Sequence, residues 1–186
     1  WLAVKAARLE TDRLILRPPL REDFDGWAAM AADEVTMATL GGIQPRSVAW
    51  RAFVQMAGSW SLYGYGMFSV LTKDTGRWIG RTGPWRPDGW PGNEIGWGFV
   101  SDVHGQGYAT EAATAAIDWV VDVLGWEEFI HCIDPGNRPS IALAQRIGSV
   151  RLREADLPAP ALQRVDVYGQ TRSEEHTSEL QSRGLI

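Results

Sequence analysis

Val103-His104-Gly105-Gln106-Gly107-Tyr108-Ala109-Thr110-Glu111-Ala112 is the stretch from which the fold can be read. It joins a strand-like segment to the strongest helix pattern in the chain. From Gly107 to Leu124, apolar residues Ala113, Ala116, Ile117, Val120, Val121 and Leu124 recur at three-to-four spacing, and Gly125 ends the run. Upstream, Glu94 to Val100 predicts a strand with Ile95, Trp97 and Phe99 on one face and Glu94, Gly96, Gly98 and Val100 on the other. Glycines at a strand-to-helix turn let a ligand approach the backbone. The first helical amides lack internal partners, and with the helix dipole they form an anion site suited to a pyrophosphate. A tight turn with nothing bound accounts for the same glycines. No Gly-Lys-Ser/Thr follows, so the loop is not a P-loop, and Thr110 stands where a dinucleotide fingerprint has its third glycine.

Working outward, Leu9 to Arg17 predicts one strand, stopped by Pro18 and Pro19. Glu22 to Ala32 predicts a short helix with Phe24, Trp27 and Met30 on one face. Ser47 is a plausible N-cap for a helix reaching about Ala57, with Trp50, Phe53, Val54 and Ala57 inward. Strands are expected at Tyr65 to Thr72 and Trp78 to Thr82, then a Pro/Gly/Trp-rich loop from Pro84 to Gly92. Gly96 and Gly98 on one strand face suggest a bulge or a close approach. Further strands are expected at Phe129 to Ile133, Val150 to Arg153 and Arg164 to Tyr168, with a helix from Ser140 to Ile147. Strand runs flanked by helices mark a mixed α/β (α+β) domain with antiparallel and parallel parts.

At 186 residues, the chain fits one domain with a sizeable core. Its composition is 45% hydrophobic and 22% charged, which excludes disordered, collagen-like and disulfide-scaffold classes. Cys132 is the sole cysteine, so a reducing, cytoplasmic setting is expected. No apolar run approaches the roughly 20 residues of a membrane span, and the net charge of −5 argues against nucleic acid as the main partner. Both ends are unusual. The chain begins with Trp1, which suggests a processed or incomplete N-terminus. Arg172 to Ser182 resembles the in-frame translation of a sequencing adapter, so 172–186 is read as a disordered, non-native tail.

The stretch His104 to Ala112 resembles the acetyl-CoA signature of the GNAT superfamily of N-acetyltransferases: Gln or Arg, two residues, Gly, one residue, then Gly or Ala. Gly107 and Ala109 match, and His104 stands where Gln or Arg is usual. Thr11-Asp12-Arg13-Leu14-Ile15-Leu16-Arg17, Gly92-Asn93-Glu94-Ile95-Gly96-Trp97 and Asn137-Arg138-Pro139-Ser140, followed by Ala144 to Gly148, resemble further family segments. The group containing the ribosomal-protein N-terminal acetyltransferases is the most similar. The resemblance covers residues 8–171 and implies a single domain, with a mostly antiparallel central sheet flanked by about four helices.

It implies acetyl transfer from acetyl-CoA to a primary amine, which is a protein N-terminus or a small molecule. An amine with a lysine-like pKa of about 10 is protonated at pH 7 and needs a base. Glu94 is the candidate base, or else a solvated strand-edge carboxylate. By resemblance Ser140 protonates the leaving thiolate and Asn137 holds the pantetheine arm, although both also suit helix capping. His104, Gly105, Gln106, Gly107, Tyr108, Ala109 and Thr110 would cradle the pyrophosphate, and a main-chain amide at Phe99 or Val100 would hold the oxyanion. His131 is expected in the core and Cys132 inert; no metal spacing is present. Of the ten tryptophans, Trp85 and Trp90 are candidates for a substrate pocket. Two rival functions are a Trp-rich carbohydrate-binding module and an acyl-CoA-binding domain without catalysis. The oligomeric expectation is a monomer or homodimer.

Overall fold

A computed structural model describes residues 7–171. The expectations for the first residues and for the tail at 172–186 lie outside the described residues. The elements run β1 (Leu9–Glu10), β2 (Leu14–Arg17), α1 (Phe24–Ala31), α2 (Glu34–Met37), α3 (Arg46–Tyr63), β3 (Phe68–Thr72), β4 (Trp78–Trp85) and β5 (Glu94–Phe99). They continue with α4 (Tyr108–Leu124), β6 (Glu128–Ile133), α5 (Arg138–Arg146), β7 (Val150–Asp156) and β8 (Arg164–Thr171). Eight strands form one sheet in the order β1-β2-β3-β4-β5-β6-β8-β7. Every neighbouring pair is antiparallel except β5 and β6. The α4 helix supplies the long crossover that a parallel pair requires.

The centre of the sheet is buried between helices. On one side Ala112 and Ala116 of α4 meet Leu14, Leu16, Phe68, Val70, Ile79 and Phe99. Alanine lets the helix axis come close to the strands, which is why this alanine-rich segment seats so deeply. On the other side α1 and α3 bring Phe24, Trp27, Met30, Phe53 and Met56 against Met67 and Trp78. Phe68, fully buried, makes edge contacts with Trp60 at 5.0 Å and Trp119 at 5.1 Å between ring centroids. Arg17 clamps α1 to the sheet through two hydrogen bonds to buried Asp23 at 2.7 and 2.8 Å.

Several expectations are corrected. Leu9 to Arg17 is a small hairpin, not one strand: Thr11 accepts from and donates to Leu14, and Leu9 pairs with Leu16. The third helix starts at Arg46 and runs on to Tyr63. Its inward face is Ala49, Phe53, Met56 and Trp60, while Trp50 and Val54 are exposed. The one-turn α2, capped by Asp33, was not anticipated. β4 continues through Pro84; the pairing of β3 with β4 has already ended at Thr82, so the missing proline N–H costs no ladder bond. No bulge interrupts β5, which pairs with β4 without a break from Gly80↔Phe99 to Trp85↔Glu94.

Candidate active site

The site is a gap in the sheet. β5 and β6 share one ladder position, Glu94↔Ile130, where Ile130 N donates to Asn93 O at 2.8 Å. Two side chains take over the next rung. The Cys132 amide donates to Glu94 Oε1 at 3.0 Å, and His131 Nδ1 donates to Ile95 O at 2.6 Å. A carbonyl can only accept, so the proton sits on Nδ1 and Nε2 accepts from Ser149 at 3.0 Å. Beyond that point the strands part, and the edge of β5 lines a cleft.

Which β5 amides face the cleft follows from register. Val100 N donates to Ile79 O at 3.0 Å, so Val100 is spent on β4. Antiparallel pairing alternates. The amides of Gly98, Gly96 and Glu94 therefore point to β4, and those of Phe99 and Trp97 point into the cleft. Val100 is thus excluded as an oxyanion donor.

Two cavities occupy the gap. The larger, about 570 Å³, is bounded by Trp97, Gly98 and Phe99, by Gly105, Gly107, Ala109 and Thr110 of the turn, and by α5 residues including Ser140 and Arg146. Gly105 and Gly107 have φ of 74° and 82°, so both need the left-handed region that glycine occupies without strain. Gly107 is the N-cap of α4. The turn is held from outside: Arg13 bonds Glu111 at 2.7 Å and Gln106 O at 3.0 Å, and lies 4.2 Å from the Tyr108 ring. Gln106 and Tyr108 therefore lie outside this cavity's wall. His104 lines it, but its Nε2 is engaged with Phe99 O at 2.9 Å.

The smaller cavity, about 250 Å³, holds Glu94, Trp85, Trp90, Arg81, Asp134 and Gln163 in its wall. Trp97, Asn137 and Ser140 border both spaces. Asn137 caps α5 by accepting from Ser140 N at 3.1 Å, and Trp97 Nε1 donates to Ser140 Oγ at 3.1 Å. With that acceptor position filled, the Ser140 hydroxyl proton remains to be donated.

Glu94 is 6% exposed. Burial pushes its pKa up to about 7, against the opposing pull of the Cys132 amide, the Trp90 indole and Arg81. It is poised to change charge near neutrality. His131 is driven the other way: burial lowers its pKa to about 4, so it stays neutral in the core. Cys132 is pushed up by burial and by Glu94 and remains a thiol.

These shifts set a pH window for stability. Glu94 binds its proton more tightly when folded, so its contribution is full below about 4.5 and declines as pH rises through 7. His131 binds its proton less tightly when folded, so its contribution is full above about 6.5 and declines as pH falls to 4. The expected result is a lower melting temperature at pH 8 than at pH 6 in the wild type, and no such drop in Glu94→Gln, where His131 remains and favours the higher pH. Identical pH profiles for the two proteins would show that Glu94 ionises without cost.

A family model of the GNAT acetyltransferase domain matches residues 13–150. The chain belongs to this family. It is therefore an acetyltransferase domain, of a family whose donor is acetyl-CoA. An acetyltransferase crystal structure from Agrobacterium tumefaciens is 30% identical, with a TM-score of 0.80 over 89% of this chain and 95% of that one. YkkB, an uncharacterized protein of Bacillus subtilis, is 35% identical over 88 residues, 46% of this chain. The match spans about half of that relative, 51% of its length. RimL, a ribosomal L7/L12 alpha-N-protein acetyltransferase solved in complex with coenzyme A, shares the fold. Its TM-score is 0.71 at 14% identity, over 89% of this chain and 98% of that one.

The mixed, mostly antiparallel sheet of this GNAT domain agrees with the fold expected from sequence, with five α-helices among the described residues where about four were expected. It is not the β-sandwich of a carbohydrate-binding module. Trp85 and Trp90 line the smaller cavity, and Trp90 Nε1 donates to Glu94 Oε2. Sequence reasoning missed Arg146, which lines the larger cavity and bonds Thr110 Oγ1 at 3.1 Å. It also missed Arg81, Asp134 and the α2 residues that border the cleft. Among the described residues there is no His/Cys/Asp/Glu cluster suited to a metal, and no helix long and apolar enough to cross a membrane.

Proposed function

We propose that this GNAT domain, taken as residues 8–171, moves an acetyl group from acetyl-CoA to a primary amine by direct attack. The observation that carries this reading is the meeting of two cavities at Trp97, Asn137 and Ser140, with Glu94 on the smaller side. The larger cavity fits the donor: the α4 N-terminus and Arg146 take the phosphates, and the pantetheine arm lies along the free edge of β5. The smaller cavity fits the acceptor.

The chemistry balances with these groups. Glu94, ionised, takes a proton from the ammonium, and the nitrogen's second proton passes to solvent once its bond to carbon has formed. The nitrogen lone pair forms a bond to the thioester carbon, and the developing oxyanion is met by the Trp97 and Phe99 amides. The C–S bond then breaks, and the Ser140 hydroxyl supplies a proton to the departing thiolate before regaining one from solvent. Asn137 fixes the start of α5 and so the place of Ser140.

Calorimetric titration with acetyl-CoA tests the donor side. Arg146→Glu places a negative charge beside the phosphate site and should weaken binding by about tenfold or more, as expected when a charge-assisted phosphate contact becomes repulsive. Equal affinity in wild type and variant would move the phosphates elsewhere.

A further inference from the structure

Arg81 is the group the transfer chemistry leaves unexplained. It lies in the wall of the smaller cavity, on the same sheet face as Glu94, because Arg81 pairs with Gly98 and Trp85 with Glu94. Its Nε is buried and is the one such side-chain nitrogen or oxygen without a hydrogen-bond partner among the described residues. Its Nη1 reaches only the Met67 thioether, at 2.8 Å, and its guanidinium carbon lies 4.9 Å from the Trp27 ring centroid. Neither neutralises a cation. Arg13 and Arg17, by contrast, each hold a carboxylate. No carboxylate comes within ion-pair distance of Arg81 among the described residues; Glu94 acts on it only at longer range.

The two glycines of β5 mark where the two charged groups lie. A Cβ on Gly98 would lie 3.7 Å from Arg81 Nε, and one on Gly96 would lie 3.5 Å from Glu94 Oε1. The guanidinium and the carboxyl therefore lie over positions two residues apart on one strand face, roughly 7 Å along the strand. That separation suits an amine and an anionic group held one or two carbons apart, each hydrogen-bonded to its partner. A guanidinium fork accepts a planar carboxylate in two parallel bonds. The cavity of about 250 Å³ has room for a small molecule of this kind.

We propose that Arg81 binds the carboxylate of the acceptor, and that the acceptor is a small amino-carboxylate held between Arg81 and Glu94. This rests on the assignment of the smaller cavity to the acceptor. It replaces a broad choice of amines with one chemical class, and it disfavours a peptide N-terminus, whose first residue carries an amide in place of the carboxylate.

The test compares matched acceptors. Each L-amino acid is assayed beside its primary amide and its decarboxylated amine, with acetyl-CoA saturating. The wild type should favour a set of carboxylates over their amides by on the order of 100-fold in kcat/KM, the scale of a lost partner for a buried charge. In Arg81→Gln that ratio should collapse toward one, with acetyl-CoA affinity unchanged as evidence of an intact fold. Arg81→Lys, which keeps charge but loses the fork, should retain part of the preference and serves if the Gln variant does not fold. Aminophosphonates and taurine, preferred over carboxylates, would overturn the carboxylate assignment. Equal rates for carboxylate and amide in the wild type would overturn the proposal. If no amine is acetylated, the transfer reading fails by itself. Arg81 is then judged by calorimetry with N-acetyl-amino acids against N-acetyl-amines, where equal binding rejects it.

Discussion

Glu94→Gln is expected to lower kcat by about 10²–10⁴-fold near pH 7, the usual worth of a positioned general base. The side chain is buried, lies in the acceptor cavity and titrates near neutrality because burial outweighs its hydrogen bonds. Ionised, it offers an unused lone pair on each oxygen after accepting from Cys132 and Trp90. The amide is nearly isosteric but cannot take a proton. The wild-type rate should rise as pH passes through about 7, where Glu94 becomes charged. The variant should lose that limb, and its deficit should shrink toward pH 10, where free amine attacks unaided. One of the Cys132 and Trp90 donors then faces the new NH2 group, at a stability cost of about 1–3 kcal/mol. Loss of the ionisation cost offsets part of this above pH 7. Acetyl-CoA affinity should hold, since Glu94 lies outside the larger cavity's wall. A wild-type pH–rate profile in the variant would acquit Glu94.

Gly80→Val should be the most damaging single change to the scaffold. Gly80 pairs with Phe99, and a Cβ there would sit 2.4 Å from Gly98 O and 2.6 Å from Phe99 Cδ1. The first of these atoms is backbone and cannot turn aside. Even Gly80→Ala must push β5 off β4, and overpacking of this kind costs about 1–3 kcal/mol. Valine should exceed that. For a chain of this size each kcal/mol lowers the melting temperature by about 2–4 °C. The displaced residues, Gly98 and Phe99, also line the larger cavity, so acetyl-CoA affinity should fall together with stability. A Gly80→Ala protein with wild-type melting temperature and affinity would mean that β5 has slack at this point.

The parts of the fold legible in the sequence were those with long, local patterns. Helix α4 carries its periodicity over many residues and ends on glycines at both sides, so its place and the ligand-facing turn could be read. The hairpin at Leu9–Arg17 could not, because two short strands sharing alternation look like one. The inward face of α3 was misassigned because Trp50 is as apolar as Phe53; Phe24 of α1 meets both rings, and Phe53 packs on Trp27 as well and is buried.

The site was legible only in part for the same reason. Glu94, Ser140 and Asn137 stood in recognisable segments. That Val100 is consumed by Ile79 depends on which β5 residues face β4, a matter of register between segments some twenty residues apart. Arg81 had no local signal: a single arginine in a strand reads as solvent-facing, and its burial beside Gly98 appears only when β4 and β5 pair. The raised pKa of Glu94 is likewise a property of burial, which no spacing encodes.

The central claim is that the two cavities hold a thioester donor and an amine acceptor in one reaction path. Its most direct test is continuous detection of free thiol from acetyl-CoA as amines are added one at a time. Thiol release should saturate in both substrates, with one acetylated amine formed for each thiol. Tight acetyl-CoA binding with no amine raising thiol release above background would contradict it and leave a domain that binds the donor without using it.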